Sequence, residues 1–357
     1  MTWTATTMAS VVSPRPKVVH VSGPSRFLAA GRFLAAGSVF LAVLSSCSAG
    51  SEPNTSTTTS VQTTSTAPLV APAIVDVIEL EGSEALGLAI TNDAVWAITY
   101  QTGTLSRIEP GSGDVTLSEE IGSQVATLLA TDDDLWAAGY GGSTNSNIHR
   151  IDTDSGRVGG SIDTGEVCCD LTAGEGAIWA VDPDGAVLRV DPETNEVSDR
   201  YEITIDRNAH TNVVYAGDSL WVSSDTTPLF RIDPASESIN EFDVNGGVPF
   251  LEHNGLLWGA APSSLWAVDP QSGEVVSRIA LDDSIEVMSL GVGENGIWAG
   301  IRRPGRVGAV LRIDPATGEV LDEFREIDIP ARIAFGFGSV WITDSGSNRL
   351  YRISPAS

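Results

Sequence analysis

The chain has 357 residues, with 20 Lys+Arg against 47 Asp+Glu, a formal charge of −27 and an apolar fraction of 42%. That apolar share is ample for a core and excludes a disordered chain. The acidity excludes a nucleic-acid binder, because a phosphate backbone would be repelled, and the length permits one large all-β domain or two smaller ones.

Residues 1–46 contain no acid; they carry Arg15, Lys17, Arg26 and Arg32, then an apolar run from Phe33 to Leu44. A basic region, an apolar stretch and small residues before a cut site read as a secretory signal. The run is shorter than the roughly 20 residues a spanning helix needs. Leu44-Ser45-Ser46-Cys47 resembles the bacterial lipobox, which implies a diacylated Cys47 as the new N-terminus. Removing residues 1–46 leaves 16 basic residues against 47 acidic ones, or −31, and takes away Lys17, the single lysine. Anionic lipids repel such a body, so the lipid holds it at the membrane. Residues 47–73 are the lipidated Cys and a tether dominated by Ser, Thr and Pro, with almost nothing to bury. The expected location is the bacterial cell envelope, at the outer face of the cytoplasmic membrane.

Residues 74–357 repeat. Trp96, Trp136, Trp179, Trp221, Trp258, Trp298 and Trp341 are spaced by 40, 43, 42, 37, 40 and 43 residues. Each unit has a short strand, a tight turn such as Asn254-Gly255, and the Trp strand. A variable loop, an Arg-Ile-Asp-Pro strand end (Arg231 to Pro234, Arg312 to Pro315) and a last alternating strand follow. Four short strands per repeat of this period predict a propeller blade, hence a single seven-bladed all-β propeller with almost no helix. The final repeat stops after its third strand, so Ile74 to Leu80 is predicted to supply the outer strand of blade 7 and close the ring. The repeated Trp reads as core, as does Trp266, which stands where other blades have Phe230 or Leu311. The repeated Arg and Asp read as exposed strand-end and turn residues.

The Gly-x-hydrophobic-Trp strand and the Arg-Ile-Asp-Pro-x-Thr-Gly-Glu-Val segment resemble the bacterial propellers of the streptogramin (virginiamycin B) lyase-like and YVTN/NHL-like group. The shared residues are structural, so the resemblance speaks for fold far more than for function.

In a propeller the turn before each Trp lies on one face, and the loop after it lies on the other. The second face has the variable loops and is the better site candidate. Nine residues before each Trp stand Gly87, Thr127, Asp170, Asn212, Pro249, Ser289 and Arg332. Alternation predicts that this mostly polar set points at the channel. Just above it, by count, lie Cys168, His210 and Glu286, with Glu84 and Gln124. Thr127, Asp170, Asn212, Ser289, Arg332, Glu84 and Gln124 are therefore the candidate ligand-binding residues, with a solvated polar channel as the competing reading. The post-Trp loops add Tyr100, Tyr140, Asp182, Asp184, Asp225, Asp344 and Asn348, and Arg302, Arg303 and Arg306 stand together as a potential anion site or a solvated loop.

The resemblance to streptogramin lyases implies elimination of a lactone ester by a His and Glu set with a magnesium ion at the channel mouth. His210 and Glu286 are the residues that could act there as general base and acid. Blades 6 and 7 contain no His, so the clustered His of that chemistry is missing. Asp182 to Gly185 and Asp132 to Asp134 resemble calcium loops in composition only. A divalent metal at the mouth is thus the one cofactor suggested, and the cofactor is otherwise unknown. Cys168-Cys169 admits two free thiols or a vicinal disulfide in an oxidising compartment. A disulfide of that kind would resemble the one that quinoprotein propellers place against their cofactor. The favoured reading is a non-catalytic, monomeric, membrane-anchored module that binds an unknown protein or small molecule at the variable face. A lyase-like enzyme and a quinone-binding redox protein are the alternatives.

Overall fold

The computed structural model describes residues 71–354 except 133, 140–146, 165–169, 183–184, 206–209, 227, 246, 262, 294–295 and 306. For 245 and 307 only the backbone is described. The signal, Cys47, nearly all of the tether, Cys168, Cys169, Tyr140, Asp184 and Arg306 fall outside the described residues.

The described residues form seven four-stranded antiparallel sheets and no helix. The first strand of each sheet contacts the first strands of both neighbouring sheets, and this circuit closes on itself. That is a seven-bladed β-propeller with the first strands innermost. In blade 7 the sheet order is Ala73–Glu79, Arg349–Ser354, Ser339–Asp344, Pro330–Gly336 from outside to inside, so the N-terminal strand supplies the outer edge, as its position predicts. Register pairs Ile78 with Leu350 and Glu79 with Arg349.

Seven apolar clusters sit between successive blades, and each contains one repeated Trp packed against the next blade. Trp341 closes the circuit by packing with Leu88 and Val95 of blade 1. An indole burying ~200 Å² contributes about 5 kcal/mol at ~25 cal/mol/Å², so the repeat places its largest apolar group where the blades meet.

The repeated Arg does more than the sequence reading allowed. It stands directly across from the Trp in blades 1, 2, 3, 4, 6 and 7, for example Trp96 opposite Arg107 and Trp341 opposite Arg352. In five of these its guanidinium lies 5.2–5.9 Å from the indole centroid. The stem covers the ring and the charge meets its π face. Blade 5 breaks the pattern: Ala267 faces Trp258, and Trp266 lies opposite Gly259. A Cβ on Gly259 would come within 2.1 Å of the Trp266 ring, so the missing side chain makes room for the extra indole. Trp266 is core, as expected.

The repeated Asp is a turn former. Asp152, Asp191, Asp233 and Asp314 each accept backbone N–H groups two and three residues ahead, and Asp269 accepts the one two ahead. Those bonds, preceded at Asp233 by the larger influence of the Ser236 side chain, favour the carboxylate and hold Asp152, Asp191, Asp233 and Asp314 below the ordinary Asp value.

Candidate functional site at the variable-loop mouth

The inner strands are irregular where they reach the mouth. In blades 1, 2, 6 and 7 the pairing slips by one residue at the same place, ten residues before the Trp, at Leu86, Ala126, Met288 and Ala331. A bulge bends a strand and re-aims its side chains, and here it falls in the strand segment that lines the mouth. Blades 3, 4 and 5 pair without a slip.

The polar set nine residues before each Trp does not simply project into the channel. Asp170 Oδ2 accepts from Asn212 Nδ2 at 2.7 Å and from the Val213 backbone N–H at 3.1 Å. Ser289 Oγ donates to the Pro330 carbonyl at 2.8 Å, and a Cβ on Gly87 would meet the Ala126 carbonyl at 2.8 Å. Thr127 is buried. These side chains run sideways to the next blade, because propeller sheets stand on edge around the axis and present a strand edge, not a strand face, to the channel. One subset does converge. Burial pushes the Asp170 carboxyl above its ordinary value, and the positive charge of Arg332 opposes that rise. Asp170, Asn212 and Arg332 therefore belong to one electrostatic group drawn from blades 3, 4 and 7. The Arg332 guanidinium donates to the Ala331 carbonyl at 3.3 Å, and its backbone N–H donates to Thr343 Oγ1 at 3.1 Å.

Glu84 and Gln124 occupy matching left-handed positions (φ 61° and 65°) in blades 1 and 2. Glu84 accepts from Gln101 Nε2 at 3.1 Å, and the Gln124 backbone N–H donates to the Tyr100 carbonyl at 2.7 Å. They build the rim of blades 1 and 2.

His210 and Glu286 line a common cavity of about 480 Å³ over blade 5. Its apolar floor is Val248, Ala260, Ile285, Val287 and the bulge residue Met288. Gly247 is pinned beneath it by Ser223, whose Oγ donates to the Gly247 carbonyl at 2.7 Å and accepts its N–H at 2.9 Å. On the rim, His210 Nδ1 lies 3.0 Å from Asp225 Oδ2, while the His210 backbone N–H donates to Asp225 Oδ1 at 3.2 Å. Glu286 accepts from Arg302 Nε at 3.0 Å. A carboxylate on Nδ1 orients the imidazole and leaves Nε2 to meet a ligand. The sequence placed Asp225 on this face but not on His210; the two flank the hairpin of strands Thr211–Ala216 and Ser219–Ser224, whose register sets Thr211 opposite Ser224 and so His210 opposite Asp225, a pairing that extending the hairpin register from the Gly217-Asp218 turn would have shown.

Other loop candidates are structural. Arg302 and Arg303 are not in a loop: they end the strand Gly296–Arg303 and pair with Glu286 and Glu323, the latter at 2.7 Å. Asp182 is buried and ion-paired to Arg200 at 2.8 Å. Asn348 donates to the Leu80 and Gly82 carbonyls and so fastens the ring closure. Among the described residues no cluster of three or more His, Cys, Asp or Glu could hold a metal ion. Among them, too, no helix is long and apolar enough to cross a membrane.

Residues 139–253 match a family model described as a domain of unknown function (DUF5074). The match covers about a third of the chain, from the end of the Trp136 strand through blades 3 and 4 to the inner strand of blade 5. It is compatible with the propeller and carries no activity with it. No curated protein matches the chain.

Proposed function

We propose that this propeller is a non-catalytic binding module that receives a small ligand or a protein segment at its variable-loop mouth, chiefly in the cavity over blade 5. The carrying observation is that cavity: an apolar floor of a size suited to a small molecule, rimmed by His210–Asp225 and Glu286–Arg302. Its rim groups are held in fixed pairs, with His210 Nε2 left free of the Asp225 contact, which suits recognition of a ligand's polar atoms. In this reading the chain is a lipoprotein held by Cys47 at the outer face of the cytoplasmic membrane, a proposal that rests on the leader sequence alone.

A thermal-shift screen of small molecules against residues 47–357 tests it. A ligand that stabilises the protein should lose its effect in Asp225→Ala and Glu286→Ala and keep it in a variant altered on the outer strands. A hit indifferent to both substitutions would move the site elsewhere.

One observation favours the second reading, an eliminating enzyme of the streptogramin lyase type: His210 and Glu286 line one cavity. Purified protein that leaves a streptogramin B lactone intact with magnesium present removes this reading.

A further inference from the structure

The turn-side face of the ring, which short uniform turns mark as the less promising one, is not featureless. Its centre is a cavity of about 530 Å³ on the inner strands of blades 5, 6 and 7, lined mainly by Leu251, Leu290, Val292, Ile333, Ala334 and Phe335. The lining is overwhelmingly apolar. Its polar member, His253, has its Nε2 taken by Asn254 Nδ2 at 2.9 Å. The blade 6 strand thins here: Gly291 and Gly293 bring no side chains, and a Cβ on Gly291 would overlap Ile333.

Two features of the surroundings indicate what fits. The first is charge. The hairpins that end on this face put Asp132, Glu175, Asp218 and Glu252 into solvent in blades 2 to 5, while Asp93 of blade 1 is held by Arg107 at 2.8 Å. The second is Phe337, 41% exposed at the tip of the blade 7 hairpin, two residues beyond Phe335. Phe337 and Gly338 hold φ of 53° and 65°, the two-residue turn that favours Asn-Gly. Blade 5 does place Asn254-Gly255 there, at φ 52° and 77°. A phenylalanine in the left-handed region is strained and gains nothing from solvent.

We propose that this face docks a basic, amphipathic polypeptide segment, with an apolar side chain in the blade 5–7 cavity, Phe337 against its flank, and Lys or Arg side chains over the ring of acidic turn tips. Apolar anchors in a pocket with complementary charge around them are the usual anatomy of such a surface. A second copy of this chain fits poorly, since it brings the same acids and a strongly negative body. The proposal concerns the face opposite the mouth and stands or falls apart from the function given above.

The probe is a short fluorescent Lys/Leu peptide, with Lys/Ser and Glu/Leu peptides as comparisons. The Lys/Leu peptide should bind at least about tenfold more tightly than either, and weaken as salt rises. Phe337→Asn should raise the melting temperature by about 2 °C through relief of the turn, yet weaken the peptide about tenfold; that opposed pair of effects separates lost contact from lost folding. Glu175→Lys with Asp218→Lys should weaken binding and flatten its salt dependence, whereas Glu241→Lys on an outer strand should do neither. Equal binding of the Lys/Ser peptide, unchanged affinity in Phe337→Asn, or sedimentation showing dimers that Phe337→Asn dissolves would each overturn the proposal.

Discussion

Asp344 ends the Trp strand of blade 7 and is fully buried. Its carboxylate accepts backbone N–H groups from Asp328 at 3.0 Å, Ile329 at 2.9 Å, Gly346 at 2.9 Å and Ser347 at 3.4 Å, together with the Ser347 hydroxyl at 2.7 Å. It thereby ties the crossover from blade 6 to the loop after Trp341, just ahead of Arg332. Truncation to Ala removes all five bonds. Hydrogen bonds to a charged group are worth ~1.5–3 kcal/mol each, so five sum to about 10 kcal/mol, against which burying the carboxylate costs several. A net loss of about 3–4 kcal/mol remains, which for a domain of this size lowers the melting temperature by roughly 5–7 °C. Asp344→Asn should cost about half as much, because one amide oxygen still accepts while the NH2 confronts the Asp328 N–H. Calorimetry gives the overall loss, and amide exchange should show the Asp328 and Ile329 protons unprotected in the Ala variant. A melting temperature within about 2 °C of the parent, or unchanged protection at those two amides, would refute the assignment of Asp344 as the anchor of this loop.

Asp170→Asn tests the half-buried carboxyl. Its folded value is raised, so its ionised form is penalised in the native state; the penalty is absent below the ordinary Asp value of 3.8 and grows as pH rises through the elevated folded value. The Asn variant should therefore melt above the parent at neutral pH, with the difference disappearing near pH 3–4; a variant that melts lower at neutral pH speaks against burial as the dominant influence. Deletion of residues 73–79 should open the ring: it removes the core residue Ile78, worth about 2–3 kcal/mol, and bares the edge of Arg349–Ser354. Light scattering should then detect association and the melting temperature should fall. A monomer of unchanged stability would mean the seventh blade does not need its outer strand.

Architecture was legible because it is periodic. Seven tryptophans at one spacing, a turn before each and an Arg-Ile-Asp-Pro end after each leave few folds to choose from, and the orphan strand at the N-terminus has only one unpaired edge to meet. In blade 5 the sequence marks Trp266 as core by its match to Phe230 and Leu311, and the structure adds that Gly259 makes room for it. The site was legible only as a face. His210 and Glu286 were placed at the mouth by counting from the Trp, and they do line one cavity. What counting could not supply was direction: the same offset puts Asp170 beside Asn212 of the next blade and Ser289 against Pro330, because a strand seen edge-on sends alternate side chains to its two neighbours.

The same logic says where function should be sought in a repeat. Residues that recur have been explained by packing: the Trp between blades, the Arg on its ring, the Asp in its turn. Residues that depart from the recurrence at a structural cost need another explanation. Phe337 stands in a turn that suits Asn, with two-fifths of its surface exposed, and the repeat does not account for it. Asp170, at a joint where blade 6 uses Ser289, is a milder case: burial works against its charge, but Arg332, Asn212 and the Val213 N–H offset part of that cost within the ring. Asp344, by contrast, is as buried as any but is repaid by its hydrogen bonds, so structure alone accounts for it. An unusual residue whose cost is met locally is scaffold; one whose cost is not met locally points to a partner outside the chain.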